Sequence, residues 1–158
     1  MTRQYDQAIQ RAREALDMDP NFMQARHVLG LAYLNGGRHA ESIAEFQKEV
    51  HDAKGDPVPN ALLARAYAAA GNRAEAYKLL GELEQLSKER YVSPADVAFV
   101  YADLSEKDQA FRWLEKAYAE RCNSLIYLKL DPELDSLRSD PRFTALLNRM
   151  KLSPQRAQ

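Results

Sequence analysis

Tyrosines recur in this chain at a fixed interval: Tyr33, Tyr67 and Tyr101 are 34 residues apart. Before each tyrosine, at the same distance, stands a branched aliphatic residue followed by a small one. These pairs are Leu29–Gly30, Leu63–Ala64 and Val97–Ala98. A fixed period of this length predicts a stack of similar structural units, because each unit buries its apolar surface only against its neighbours.

The same step continues through the second half of each unit. It links Ala8, Ser42, Ala76 and Ala110, and after them Ala12, Phe46, Leu80 and Leu114. Apolar residues lie at helical spacing on both sides of the Gly36–Gly37 break, so each unit is predicted to be two amphipathic helices joined by a tight turn. The small residues allow close helix packing, and the large ones fill the space beside them.

The pattern of Leu-Gly, Tyr, Ala and Phe in a 34-residue unit resembles the tetratricopeptide repeat. The resemblance covers roughly residues 3–122, as a half repeat at 3–22 and repeats near 23–56, 57–90 and 91–122. It implies an all-α fold, a right-handed α-α superhelix. Residues 123–158 are expected to form short helices that cap its end.

Local signals support these boundaries. Asp56–Pro57, Ser93–Pro94, Asp131–Pro132 and Asp140–Pro141 each place a capping side chain before a proline at the first helical position. Ser93 to Asp96 is a capping-box pattern, and Ser105 to Asp108 is a second one, expected to open the last hairpin's second helix.

The C-terminal segment leaves an alternative open. Its helix from Asp140 to Leu152 could lie in a neighbouring molecule's groove instead of capping its own stack over Trp113 and Tyr118. Residues 128–143 also resemble the tails of bacterial signalling proteins, in which a kinase, a nucleotide cyclase or a winged-helix regulator carries such an array. That resemblance implies a regulatory or sensory part of a larger protein.

The N-terminus begins inside a repeat, because Tyr5, Ala8 and Ala12 match second-helix positions and no first helix precedes them. The expectation is an uncovered apolar face, covered by self-association into a homo-oligomer. The chain is accordingly interpreted as a fragment of a longer array.

By family resemblance, five positions of each first helix face a ligand. They are Gln24, His27, Leu31, Leu34, Asn35, Val58, Ala61, Arg65, Ala68, Ala69, Val92, Ala95, Phe99, Ala102 and Asp103. The preferred peptide-binding set is Gln24, His27, Leu31, Leu34, Arg65, Phe99 and Asp103. Each could equally pack against adjacent helices or stay solvated. Arg65 could present its guanidinium to a carboxylate or pair with a glutamate of its own chain.

The resemblance also argues against one ligand. The lysines and asparagines with which chaperone-binding members hold a C-terminal carboxylate are replaced by His27, Leu31, Leu62, Val92 and Asp96. A chaperone tail is therefore disfavoured as the partner.

Composition narrows the function classes. With 22 lysines and arginines against 23 aspartates and glutamates, the net charge of -1 offers no excess for nucleic acid. The apolar runs are too short for a membrane span, and the single cysteine with no signal peptide favours the cytoplasm. His27, His39 and His51 lack a metal-site spacing, and no nucleophile or phosphate-loop motif occurs. We expect a protein-binding scaffold and no enzyme, metal or cofactor.

Overall fold

The computed structural model describes residues 2–53, 55–130 and 134–151, and every regular element in them is helical. No strand occurs in these ranges, so the predicted all-α repeat fold is confirmed. The chain divides into two compact units, Met1–Val92 (unit 1) and Ser93–Gln158 (unit 2).

Unit 1 holds five helices in chain order. They are α1 (Thr2–Met18), α2 (Met23–Asn35), α3 (His39–Asp52), α4 (Pro57–Ala69) and α5 (Arg73–Leu86). Each helix packs against the one before it. The unit is therefore one lone helix followed by two hairpins, α2–α3 and α4–α5, as the period predicts.

The α2–α3 hairpin closes tightly around one aromatic ring. Phe46 on α3 is fully buried and packs with Leu34, Leu63 and Ala66. A Cβ built on Gly30 of α2 would lie 2.6 Å from Cε1 of Phe46, which no real side chain tolerates. Only glycine lets the two helices approach this closely at that point.

The expected uncovered face on α1 is absent. Ile9 and Ala12 are buried against Leu29, Ala32 and Tyr33 of α2, so the neighbouring hairpin already covers the apolar side of α1. The opposite side is exposed and polar, formed by Gln7, Gln10, Arg11 and Glu14. The physical reason is that a terminal helix with one polar side needs only one neighbour.

Unit 2 contains the last hairpin and the C-terminal helices. Its elements are α6 (Pro94–Asp103), α7 (Lys107–Ala119), a 3-10 helix (Asn123–Lys129), α8 (Asp135–Arg138) and α9 (Pro141–Arg149). One core joins Phe99, Phe111, Leu128, Leu137 and Phe143, so the C-terminal helices bury the hairpin's apolar side. The Asp131–Pro132 signal lies outside the described residues.

Helix α9 lies against α7 of the same chain. Arg142 Nη1 is 2.8 Å from Asp108 Oδ1, and Arg149 Nη1 is 2.8 Å from Glu115 Oε1. Both pairs are separated by 34 residues, so α9 runs parallel to α7, one repeat further along. The predicted helix to Leu152 ends earlier, at Arg149; Leu152 itself lies outside the described residues. The boundary at residue 122 stays a prediction.

The three hairpin turns share one backbone motif. The peptide N–H groups of Arg38, Asn72 and Glu106 donate to the carbonyls of the three periodic tyrosines at 2.8, 2.9 and 2.9 Å. The residue before each donor has positive φ: Gly37 at 75°, Gly71 at 78° and Ser105 at 63°. This is the Schellman ending of a helix.

The proline-linked helix starts are confirmed where they are described. The side chains of Asp56, Ser93 and Asp140 accept from backbone N–H groups of the first turns of α4, α6 and α9. The expected box at Ser105 is wrong: Ser105 is the left-handed residue of the turn, and Glu106 precedes α7 without a side-chain cap. The turn motif requires that conformation, so Ser105 cannot also be the cap.

Candidate partner-binding surface

One face of α2 is open to solvent. At 100° per residue, Gln24, Val28, Leu31 and Asn35 fall on a single stripe, with His27 at its edge. Gln24 is exposed, Val28 is 47% exposed, and Leu31 and Asn35 are half-buried. We call these five residues the α2 face. Apolar side chains lie at its centre and hydrogen-bonding groups at its margins, an arrangement suited to contact with a peptide.

The matching face of α4 is more closed. Val58 is 40% exposed, but Ala61 and Arg65 are only 2% and 6% exposed, and Ala68 and Ala69 are half-buried. Val92, the last residue of unit 1, is buried as well. Within unit 1 the expected ligand-facing positions are therefore accessible mainly on α2.

Three members of the preferred binding set are buried in this structure. Leu34 is 1% exposed inside the unit 1 core, Arg65 is 6% exposed, and Phe99 is 5% exposed in the unit 2 core. Ala95 and Ala102 of α6 are also buried, whereas Asp103 is half-buried. Their contact with a ligand stays a prediction, and Gln24, His27 and Leu31 are the set members on the open α2 face.

His27 forms a hydrogen bond with the buried carboxylate of Glu49. Its Nδ1 lies 2.9 Å from Oε1 of Glu49 on α3, and the two side chains are 35% and 7% exposed. This hydrogen bond raises the pKa of His27, with the negative charge of Glu49 adding to it and burial opposing it. The second carboxylate oxygen of Glu49 has no hydrogen-bond partner among the described residues.

Arg26, next to His27 on α2, makes two contacts within the chain. Its Nη1 is 3.5 Å from Glu45 Oε2, and its Nη2 donates to the carbonyl of Pro20 at 2.7 Å. The guanidinium thus ties the loop before α2 to α3. Arg26 is structural here and leaves the α2 face to its neighbours.

The ligand-facing positions taken from the family did not identify two residues of this surface, Val28 and Glu49. Val28 is not one of the five ligand-facing positions, yet it is the most exposed aliphatic residue on α2. Glu49 stands where the other repeats have Ala15, Leu83 and Ala117 at 34-residue steps. That single polar residue in an apolar series was the available signal for the His27–Glu49 pair.

Other kinds of site are not found in the described residues. No three His, Cys, Asp or Glu side chains there are arranged to hold a metal ion, and His39 is the first residue of α3. Within the same residues, no helix combines the length and the apolar character that crossing a bilayer requires.

Comparison with protein families finds that residues 2–57 match the tetratricopeptide repeat. Comparison with curated proteins and with solved structures returns no match. The matched range spans α1, α2 and α3 and ends at the first residue of α4. Repeats of this family are non-catalytic scaffolds that generally mediate protein–protein interaction. Residues 2–57 are thus similar to tetratricopeptide repeats, and the consecutive helical hairpins are consistent with the superhelix that such repeats form.

Proposed function

We propose that this chain is a protein-binding module that holds a peptide, or a segment of a partner protein, against the α2 face. The observation that carries the proposal is the aliphatic pair of exposed Val28 and half-buried Leu31 between polar Gln24 and Asn35. Apolar anchors give binding energy when a partner covers them, and the polar margin fixes its register.

The scaffold beneath this stripe is rigid enough to present it. Leu29, Ala32 and Leu34 on the other sides of α2 are buried in the two unit 1 cores. A surface on a packed helix loses little conformational entropy when a ligand binds, which favours affinity. The other members of the predicted set, Leu34 and Arg65 in unit 1 and Phe99 and Asp103 in unit 2, stay predictions of ligand contact within each unit by itself.

Site-specific photocrosslinking tests the proposal. A benzophenone amino acid at Gln24 should crosslink a protein from the native lysate, and the Val28→Asp variant should lose that product because a charge enters the apolar stripe. The matched control carries the same crosslinker at Lys78, an exposed residue of α5. Equal products at Gln24 and Lys78, or products unaffected by Val28→Asp, would place the binding surface elsewhere.

Two further proposals concern a larger protein to which this module would belong and the association of its copies. The likeness of residues 128–143 to bacterial signalling proteins favours the alternative that this module is the regulatory or sensory part of a larger cytoplasmic protein. Association of copies through α1 is a further possibility that the sequence raised. Molar mass in solution tests the association, and the length of the native gene product tests the larger protein.

A further inference from the structure

The His27–Glu49 pair interrupts the repeat at two positions at once. One and two repeats further along the chain, the residues equivalent to His27 are Ala61 and Ala95, and those equivalent to Glu49 are Leu83 and Ala117. Glu49 is 6% exposed, and its equivalents Leu83 and Ala117 are fully buried. The same chain therefore builds this part of a hairpin twice with apolar residues alone.

Stability does not account for the pair. The side chain of Glu49 is 7% exposed, and only one of its carboxylate oxygens has a hydrogen-bond partner among the described residues. A buried charge with incomplete hydrogen bonding is costly, and well-packed apolar replacements of such pairs are often neutral or stabilising. The presence of the His27–Glu49 pair therefore needs an explanation other than stability.

The geometry directs one nitrogen of His27 outwards. An ionised carboxylate only accepts, so Nδ1–H of His27 donates to Glu49 Oε1 at 2.9 Å. The ring's other nitrogen, Nε2, is not among the buried unsatisfied atoms and has no hydrogen-bond partner in the described part of the chain. The side chain is 35% exposed at the edge of the α2 face.

We propose that His27, held by Glu49, is the specificity contact of the α2 face, and that its Nε2–H donates to the carboxylate of an acidic side chain in the bound peptide. This inference rests on the proposed function, since it names the chemistry that the same surface selects. A second carboxylate on the far side of the ring would complete a Glu49–imidazolium–carboxylate chain, in which each hydrogen bond is charge-assisted.

The contact is sensitive to pH because Nε2 changes its role. The protonated ring donates from both nitrogens, whereas the neutral ring, with Nδ1–H still directed at Glu49, presents a lone pair at Nε2 and repels a carboxylate. The pKa of His27 is raised, so binding is strong below that pKa and is lost as the pH rises through it.

Two charged residues on the helices that pack against α2, Glu45 and Arg13, contact side chains other than His27. On α3, Glu45 pairs with Arg26 and Lys48, and on α1, Arg13 donates to the hydroxyl of Tyr33 at 3.0 Å. Glu49 raises the pKa of His27 through their hydrogen bond and through its negative charge, and burial opposes this. The pH response of the surface should therefore follow this one pair.

The test uses random peptides displayed on phage, selected on the full chain near pH 6 and measured as synthetic peptides by fluorescence polarisation. The enriched peptides should share an aspartate or glutamate. Their affinity should fall roughly tenfold between about pH 5.5 and about pH 8.5, the scale of one charge-assisted hydrogen bond. Replacing the peptide's acidic residue by its amide should cause a similar loss at the lower pH.

Two variants separate this contact from folding. The double variant His27→Ala with Glu49→Leu gives the hairpin the pair found at Ala61 and Leu83, so it should remain as stable as the original chain. His27→Gln keeps a donor beside Glu49 but cannot titrate. Both variants should bind the enriched peptides weakly and without pH dependence.

The possible outcomes distinguish the two proposals. Some enriched peptides could lose binding in Val28→Asp and yet lack acidic residues, prefer basic ones or bind both His27 variants unchanged. Such peptides would overturn the His27 contact but would still support binding at the α2 face. Peptides insensitive to Val28→Asp, or no enrichment at all, would overturn the α2 face and the His27 contact with it.

Discussion

At the scale of single residues, Gly30 is tightly constrained by packing. A Cβ there would lie 2.6 Å and 2.9 Å from Cε1 and Cζ of Phe46, whose side chain is fully buried. Gly30→Ala should therefore force the ring aside and lower the free energy of unfolding by about 1–3 kcal/mol, despite alanine's better helix propensity. Urea denaturation followed by circular dichroism measures this loss.

Gly81 supplies the matched control. It also lies inside a helix, α5, but a Cβ added there meets nothing within 4 Å. Gly81→Ala should gain about 0.5–1 kcal/mol from helix propensity alone. If Gly30→Ala stabilised the chain as Gly81→Ala should, the close approach of α2 and α3 at Gly30 would be wrong.

Single residues also show which structural features could be predicted from the sequence and which could not. The aliphatic–small pairs that begin at Leu29, Leu63 and Val97 were predictable because their burial repeats with the period. Whether Leu34 reaches the core, at 1% exposure, depends on the volumes of Phe46 and Leu63 around it. Packing of this kind produces no periodic pattern in the sequence. The same limit applies to Val28, whose exposure no family position indicates.

At the scale of elements, the three hairpin turns offer an internal comparison. Gly37 and Gly71 take the left-handed backbone conformation without steric cost, whereas Ser105 takes it at φ 63° with a side chain. A non-glycine residue in that conformation costs about 1–2 kcal/mol. Ser105→Gly should relieve part of this strain and stabilise the α6–α7 hairpin by up to about 1 kcal/mol.

The converse substitution checks that prediction. Gly71→Ser places a serine in the equivalent turn, where a Cβ has open space around it, so only backbone strain should act. It should destabilise the chain by about the amount that Ser105→Gly gains, as measured by thermal unfolding. A stabilising Gly71→Ser would contradict the shared turn motif.

The helix boundaries were predictable where chemistry marks them. Asp56, Ser93 and Asp140 each precede a proline, and each caps a helix. The packing of the C-terminal helices over Trp113 and Tyr118 of α7 was predicted, but the parallel register of α9 against α7 was not, because the 34-residue step is visible there in contacts between charged residues such as Arg142 and Asp108. The apolar pattern on which the period was recognised has ended by that point.

At the scale of the whole molecule, the chain consists of two compact units, whereas the period alone suggested one uninterrupted array to residue 122. The second unit combines one hairpin with the C-terminal helices in a core whose members all lie between Ala95 and Leu146. Residues 123–158 were expected to cap the stack. Their described part instead forms one hydrophobic core together with the α6–α7 hairpin.

The last prediction tests that shared core. Phe143 of α9 is 3% exposed and packs in the unit 2 core, so Phe143→Ala should cost about 3–5 kcal/mol. Because its core partners lie in α6, α7 and the C-terminal helices, amide hydrogen exchange should rise most in these elements and least in α1 and α2. Thr144→Ala, an exposed neighbour on the same helix, should leave exchange unchanged. Unaltered protection of α7 in Phe143→Ala would mean that α9 contributes nothing to the hairpin's stability.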